Sequence, residues 1–167
     1  MKRALFASAI LMAVAAAPAA AQLPGWSVGA SGGATVPVGD ADDFFDVGFG
    51  GSVVFTLRPV GSRISYGVDA QYHRMDFAGG GGDLTGLAAF GRINVPVAPQ
   101  LYLIGGAGAF RSELSFDGGP DFDETDFAVQ GGVGLNIGRS LFAEAKLINV
   151  FSDDSQQFIP ITIGFRF

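Results

Sequence analysis

The chain has no cysteine, a single histidine and a single tryptophan among its 167 residues. The absence of cysteine excludes a disulfide framework and a thiolate metal site, and one histidine cannot supply the histidine pair of a zinc site. Charged residues are also scarce, at 16%, whereas hydrophobic residues make up 49%, which excludes a disordered polar chain. Beyond residue 22 there is neither a long apolar run nor a 3.6-residue periodicity, so no membrane-spanning helix or helical domain is predicted there.

Residues 1–21 have the features of a cleaved signal peptide. Lys2 and Arg3 precede an uncharged apolar stretch over 5–17, and Ala19-Ala20-Ala21 places small residues just before Gln22. The alternative is a membrane anchor, because 4–21 is about long enough to span a bilayer, but alanine is only weakly apolar. We therefore expect an exported domain over 22–167, which has 146 residues.

The exported domain is acidic, with 8 basic and 16 acidic residues and a formal charge of −8. It has no basic stripe of the kind that nucleic-acid binding requires, so no nucleic-acid partner is predicted. Thirteen of the acidic residues lie in or beside four segments, 37–46, 76–83, 114–124 and 152–157. These residues are Asp40, Asp42, Asp43, Asp46, Asp76, Asp83, Asp117, Asp121, Asp123, Glu124, Asp126, Asp153 and Asp154.

Between these segments, apolar and polar or small residues alternate with a period of two, which predicts β-strands. The pattern covers 26–36, 47–57, 63–73, 125–137, 141–147 and 159–167, with Val54 and Phe142 on the polar side. Two further segments are less regular: 84–95 changes phase between Phe90 and Ile93, as at a β-bulge, and 101–113 leaves its phase open. The sequence thus predicts eight strands of about 9–13 residues, close to the 9–11 of a tilted membrane strand.

The connections predict how the strands are arranged. Long segments follow the odd strands, and short ones, 58–62, 96–100 and 138–140, follow the even strands. That order is typical of an all-β, eight-stranded antiparallel up-and-down transmembrane β-barrel with short periplasmic turns and long outer loops. The alternative is a soluble lipocalin-like barrel whose apolar residues point inward. The strand lengths and the aromatic residues near strand ends favour the membrane barrel.

The final strand, FIPITIGFRF, ends on an aromatic residue preceded by apolar residues at alternate positions. In this strand and in the pattern of the other seven, the chain resembles the small outer-membrane β-barrel family of the OmpA/OmpX type over 22–167. The resemblance implies that Ile161, Ile163, Phe165 and Phe167 form the assembly signal that the barrel-assembly machinery recognises, by strand addition. It also implies a monomer in the outer membrane, surrounded by its lipids and lipopolysaccharide and escorted by periplasmic chaperones during biogenesis.

An eight-stranded barrel is just filled by its own side chains, so its inward charges must be paired. We expect a lumen ionic cluster of Arg92, Glu144, Lys146 and Arg166, with a Glu144–Arg166 contact between neighbouring strands. The cluster is interpreted as a structural plug, and the alternative is the gate of a narrow channel for small solutes.

No catalytic, cofactor-binding or metal-binding site is predicted. His73 is a candidate base only if a nucleophile such as Ser65 lies beside it, and the glycine run 79–82 lacks the lysine and helix of a phosphate loop. The acidic segments do not match EF-hand spacing, although a shared calcium or magnesium role with lipopolysaccharide phosphates stays open. We therefore expect a non-enzymatic outer-membrane protein with a structural or surface-interaction role. The alternatives are a narrow porin-like channel and, less favoured, a lipid-modifying enzyme.

Overall fold

The computed structural model describes residues 25–116, 118–120, 122–152 and 156–167, and of Asp40 the backbone only. The signal peptide over 1–21 therefore lies outside the described residues, as do Asp117, Asp121, Asp153 and Asp154. Within the described ranges there are eight strands: β1 Trp26–Val38, β2 Gly48–Leu57, β3 Ser65–Asp76, β4 Gly82–Pro96, β5 Leu101–Phe116, β6 Phe122–Ile137, β7 Leu141–Val150 and β8 Gln156–Arg166. A short 3-10 helix, Gly39–Asp43, follows β1.

The strands form a closed barrel in sequence order, and each pairs antiparallel with the next. Pairing of β1 with β8 closes it, with Gly29 opposite Arg166 and Val38 opposite Gln157. We call the end that carries the connections 58–64, 97–100 and 138–140 the turn end, and the opposite end the loop end. The predicted eight-stranded antiparallel barrel is confirmed.

The outward face of the barrel is apolar. Because successive side chains of a strand point to opposite faces, one residue of each apolar–polar pair points away from the lumen. Large outward side chains with 41–59% exposure include Phe49, Val68, Leu103, Phe127, Val133, Leu135, Leu147, Ile161, Ile163 and Phe165. Such a surface is the reverse of a soluble barrel, which places its large apolar side chains inside.

The lumen has two layers. Near the loop end it is filled by a group that we call the apolar plug: Met75, Leu84, Phe90, Phe110, Ile148, Val150 and Phe158. Toward the turn end most inward side chains are polar or charged, with Ile104 and Phe142 as apolar exceptions, and we call this region the polar layer. A single lumen therefore presents two chemistries along its axis.

These layers explain the strands whose phase was unclear. The predicted phase change in β4 is wrong: pairing with β3 and β5 continues through Arg92 without a bulge, and the even-numbered residues face inward throughout. The apparent switch arises because Phe90 lies in the apolar plug whereas Arg92 lies in the polar layer. In β5 the even-numbered residues also face inward, beginning at Tyr102. Val54 and Phe142 are buried inward, as their place on the polar side of the pattern requires.

The predicted difference between long and short connections holds only in part. The connection 77–81 is shorter than the turn 58–64, because the central strands continue beyond their predicted ends toward the loop end. At that end Phe45, which is 6% exposed, pairs with Phe77 through an isolated β-bridge and stacks on its ring at 5.2 Å between centroids. Within the described residues no helix combines the length and apolar character needed to cross a membrane.

Candidate functional site

The polar layer is centred on an ion pair that crosses the lumen from β4 to β7. Arg92 Nη1 donates to Glu144 Oε2 at 3.1 Å, and Arg92 Nη2 donates to Glu144 Oε1. Tyr102 donates its hydroxyl to Glu144 Oε1 at 2.8 Å. Both charged side chains are 1% exposed, so water contributes little to their solvation. The two-pronged geometry is the strong form of an arginine–carboxylate contact.

Asp69 on β3 extends this pair into a cluster. Lys146 Nζ donates to Asp69 Oδ2 at 2.9 Å, and Arg92 Nη1 reaches the same oxygen at 3.3 Å. Lys146 also lies 3.7 Å from Glu144 Oε2. We call Asp69, Arg92, Glu144 and Lys146 the lumen cluster. Two cations and two carboxylates make it formally neutral, which is what a dry interior requires.

Inward glycines on β5 and β6 make room for the side chains of Tyr102 and Gln130. A Cβ added at Gly134 on β6 would overlap the ring of Tyr102, and one at Gly106 on β5 would lie 3.0 Å from Gln130 Nε2. The glycines of β5 and β6 therefore allow Tyr102 and Gln130 to lie flat across the barrel wall. This agrees with the barrel size, which leaves an interior just wide enough for side chains.

A chain of hydrogen bonds leads from the lumen cluster toward the loop end. Gln71 Nε2 donates to Asp69 Oδ2 at 2.9 Å and lies 2.8 Å from Gln130 Oε1. His73 Nε2 lies 3.0 Å from Gln71 Oε1, and Thr35 Oγ1 lies 2.9 Å from His73 Nδ1. The histidine thus has a partner on both ring nitrogens, which fixes it as a structural link between the polar layer and the apolar plug.

The apolar plug packs against the loop-end side of these hydrogen-bonded residues. His73 stacks on Phe110 with 6.2 Å between ring centroids, and Phe110 stacks on Phe158 at 5.8 Å. Phe110 is 0% exposed and Phe158 is 1% exposed. Within the described residues, two levels of the lumen are therefore filled, one by aromatic rings near the loop end and one by paired charges farther toward the turn end.

Ser65 does not lie beside His73. The two residues are eight positions apart on the same strand, which is about 27 Å at about 3.4 Å per residue. Ser65 lies near the turn end, where its hydroxyl accepts a hydrogen bond from Asn94 Nδ2 at 3.2 Å. The geometry gives His73 no Ser65 nucleophile to activate.

Of the four residues predicted to form the ionic cluster, the structure brings three together. Arg92, Glu144 and Lys146 lie in the lumen cluster, but Arg166 does not. The predicted Glu144–Arg166 contact is wrong, because the partner of Glu144 across the β7–β8 ladder is Thr162. Arg166 is four residues farther along β8, about 14 Å toward the turn end.

Arg166 has other partners near the turn end. It donates to Asn136 Oδ1 at 2.9 Å, and its guanidinium lies 5.1 Å from the ring centre of Phe142. A guanidinium at that distance from an aromatic face is attracted by the ring quadrupole.

Sequence reasoning missed Asp69 and Tyr102 as members of the site. The signal for Asp69 was present, since it shares the inward face of β3 with Gln71 and His73. For Tyr102 there was none, because the apolar start of β5 left its phase open.

The four residues of the predicted assembly signal all point away from the lumen. Three of them lie on β8, and Phe167 follows directly after it. Ile161, Ile163, Phe165 and Phe167 are 45–56% exposed. They form one apolar row, as their alternate spacing requires.

The acidic residues gather at the loop end. Asp42, Asp43, Asp46, Asp76, Asp123 and Glu124 are exposed there. Within the described part of the chain, no group of three or more histidine, aspartate or glutamate side chains is arranged to hold a metal ion.

No family model and no curated protein matches the chain. Solved structures do match. Ail, the attachment invasion locus protein of Yersinia pestis, is 16% identical with a TM-score of 0.59, and the match covers 87% of this chain and all of Ail. Neisserial surface protein A is 16% identical with a TM-score of 0.57, covering 84% of this chain and 95% of that protein. The N-terminal β-barrel domain of Pseudomonas aeruginosa OprF is 18% identical with a TM-score of 0.53, covering 84% and 97%. The chain therefore has the fold of the small eight-stranded outer-membrane barrels, and the resemblance to the OmpA/OmpX type is confirmed at the level of the fold.

Proposed function

We propose that this protein is a non-enzymatic, monomeric outer-membrane barrel with a filled lumen. Its function is to interact with partners through the acidic surface at its loop end. The observation that carries the proposal is that large apolar side chains, from Phe49 to Phe165, cover the outside of the barrel, while paired charges lie inside. We call this outer surface the apolar belt. Exposing so large an apolar surface to water would be unfavourable in free energy, whereas contact with lipid is not.

The height of the apolar belt matches the thickness of the apolar core of a membrane. Outward residues of β6 are apolar or glycine from Phe127 to Ile137, ten residues later, and the belt is bounded by Thr125 and Arg139. Ten residues at about 3.4 Å each, tilted by about 40°, extend about 26 Å along the barrel axis. The apolar band of outer-membrane barrels is about 25 Å tall, so the two agree.

The loop end supports a surface role. Its exposed carboxylates are joined by exposed aromatic rings, among them Phe44 at 62% and Phe122 at 58% exposure. Ail has been solved in complex with the heparin analogue sucrose octasulfate. A polyanion of that kind would be repelled by the carboxylates here, so we propose cationic or cation-bridged partners, with lipopolysaccharide phosphates reached through divalent ions.

The outward row of Ile161, Ile163, Phe165 and Phe167 supports assembly by the general outer-membrane route. We propose that the barrel-assembly machinery recognises this row, after periplasmic chaperones and a signal peptide over 1–21 have delivered the chain. Strand addition with alternate side chains entering pockets is a common recognition mode.

The narrow channel is the less supported function. An ion crossing the lumen would have to pass both the apolar plug and the lumen cluster, and the second of these holds its charges in direct contact. A channel opening would require separating Arg92 from Glu144 in a dry interior, which is strongly unfavourable.

Two measurements test the proposal. The membrane barrel predicts recovery in the outer-membrane fraction and a gel mobility that changes on boiling; a soluble periplasmic protein without that change would overturn it. The filled lumen predicts no discrete current steps in a planar bilayer. Regular steps that an Arg92→Met variant alters in size would instead establish the channel.

A further inference from the structure

The turn end of the barrel contains a cavity whose lining residues Asn94 and Tyr102 are hydrogen-bonded to the lumen cluster. It has a volume of about 440 Å³ and is lined by inward residues near the turn end of most strands, including Asn94, Tyr102 and Asn136. Its inner wall is fixed: Arg92 Nε donates to Asn94 Oδ1 at 2.7 Å, and the Tyr102 hydroxyl is held by Glu144. Its volume lies within the range of about 300–1,000 Å³ that is usual for small-molecule sites.

The cavity is basic. Of the residues that the structure describes, three arginines line it, Arg58 and Arg63 from the 58–64 turn and Arg166 from β8, and no aspartate or glutamate does. Among the described residues, none of the three forms an ion pair with a carboxylate side chain. The nearest acidic residues along the strands, Asp69 and Glu144, are already paired inside the lumen cluster.

Arg166 is held in position without having its charge neutralised. Its hydrogen bond to Asn136 uses one of five guanidinium N–H groups, and the rings of Phe142 and Tyr102 lie 5.1 and 5.9 Å from its central carbon. These cation–π contacts attract the guanidinium to the two rings but leave N–H donors for another partner. A fixed, unneutralised arginine between aromatic rings suits the recognition of an anion.

We propose that this cavity binds a phosphate-bearing polyanion. Guanidinium groups pair with phosphate oxygens through two parallel hydrogen bonds, and three separate guanidinium groups match a ligand with several negative charges. The asparagine and serine side chains of the wall supply neutral hydrogen bonds. The ligand is either a soluble polyphosphorylated solute or the headgroup of an anionic lipid. The proposal depends only on the folded barrel and not on which compartment the turn end faces.

The test is calorimetric titration of the refolded barrel in dodecyl maltoside, which carries no phosphate, with sodium tripolyphosphate. We expect saturable binding with a Kd below about 1 mM. Arg63→Gln and Arg166→Gln should each weaken binding at least about tenfold, because each removes charge-assisted hydrogen bonds. The matched control is Arg111→Gln on β5, whose partner is the exposed Asp123 at 2.9 Å near the loop end, and it should stay within about twofold of wild type.

Repeating the titration in nanodiscs distinguishes the two sources of phosphate. Weaker binding in phosphatidylglycerol discs than in detergent means that the lipid headgroup occupies the cavity, and unchanged binding means a soluble ligand. The proposal is overturned by the absence of saturable heat, by the same heat from sodium chloride at equal ionic strength, or by wild-type affinity in the Arg63→Gln variant. Arg63 is exposed on a turn, so its variant keeps the test valid even if Arg166→Gln fails to fold.

Discussion

The substitution Glu144→Gln is the most direct test of the lumen cluster. Glutamine keeps the shape of the side chain and an oxygen for the Tyr102 hydroxyl, but it removes one of two negative charges. Arg92 and Lys146 are then left with Asp69 alone, and the dry layer carries a net charge of +1. Breaking a buried pair by removing one partner typically costs about 3–5 kcal/mol, so we expect the free energy of unfolding to fall by about 3 kcal/mol or more.

The double variant Arg92→Met/Glu144→Leu separates pairing from packing. It removes one charge of each sign and leaves Asp69 bonded to Lys146, so no charge is uncompensated. Replacing a buried ion pair with apolar side chains of similar volume is often neutral or stabilising. We expect the double variant to unfold much closer to wild type than Glu144→Gln does.

The assay is urea unfolding in phospholipid vesicles, with the folded fraction measured by gel mobility without boiling. Glu124→Gln, an exposed substitution at the loop end, is the control and should stay within about 0.5 kcal/mol of wild type. A loss below about 1 kcal/mol for Glu144→Gln would mean that water or ions reach the cluster. A double variant as unstable as the sum of its single variants would refute the pairing argument.

Three further predictions concern the same unfolding measurement. Ile161→Lys places a charge on the outward apolar belt and should cost about 2–4 kcal/mol in lipid, whereas no loss would speak for a water-facing surface. Phe110→Ala removes a fully buried ring from the apolar plug and should cost about 3–5 kcal/mol; a smaller loss would mean that the plug is loosely packed. Gly134→Ala should cost about 1–3 kcal/mol by displacing Tyr102, whereas Gly131→Ala on the same strand meets nothing within 4 Å and should be nearly neutral; equal effects would contradict the packing of that ring.

A lumen filled in this way directs attention to the two ends of the barrel. The loop end is acidic and aromatic, the turn end is basic, and the lumen cluster separates them. Interaction at either end then requires no passage between them, which agrees with a surface role and with a separate anion site at the turn end.

The strands themselves were predictable from the sequence because alternation is a local property. A strand that faces two different environments must alternate with a period of two, whatever its partners are. The last strand, with Ile161, Ile163 and Phe165 on one face, needed no tertiary information. The gathering of acidic residues between odd and even strands was equally visible.

The phase of β4 shows where local pattern stops being sufficient. Alternation identifies a change of chemistry along a strand but does not say whether the strand or its surroundings change. Phe90 and Arg92 both face inward, and only the neighbouring strands show that one meets the apolar plug and the other the lumen cluster.

The sequence by itself determined eight alternating strands, an apolar face, and inward positions for Arg92, Glu144 and Lys146. Only the tertiary structure decided that Glu144 is bonded to Arg92 across the lumen while Arg166 lies at the turn end. The physical reason is register: a strand pattern fixes which face a residue occupies, but its height in the barrel depends on pairing with every neighbouring strand. Contacts across a closed lumen join residues at equal height from distant parts of the chain, as with Asp69 and Lys146.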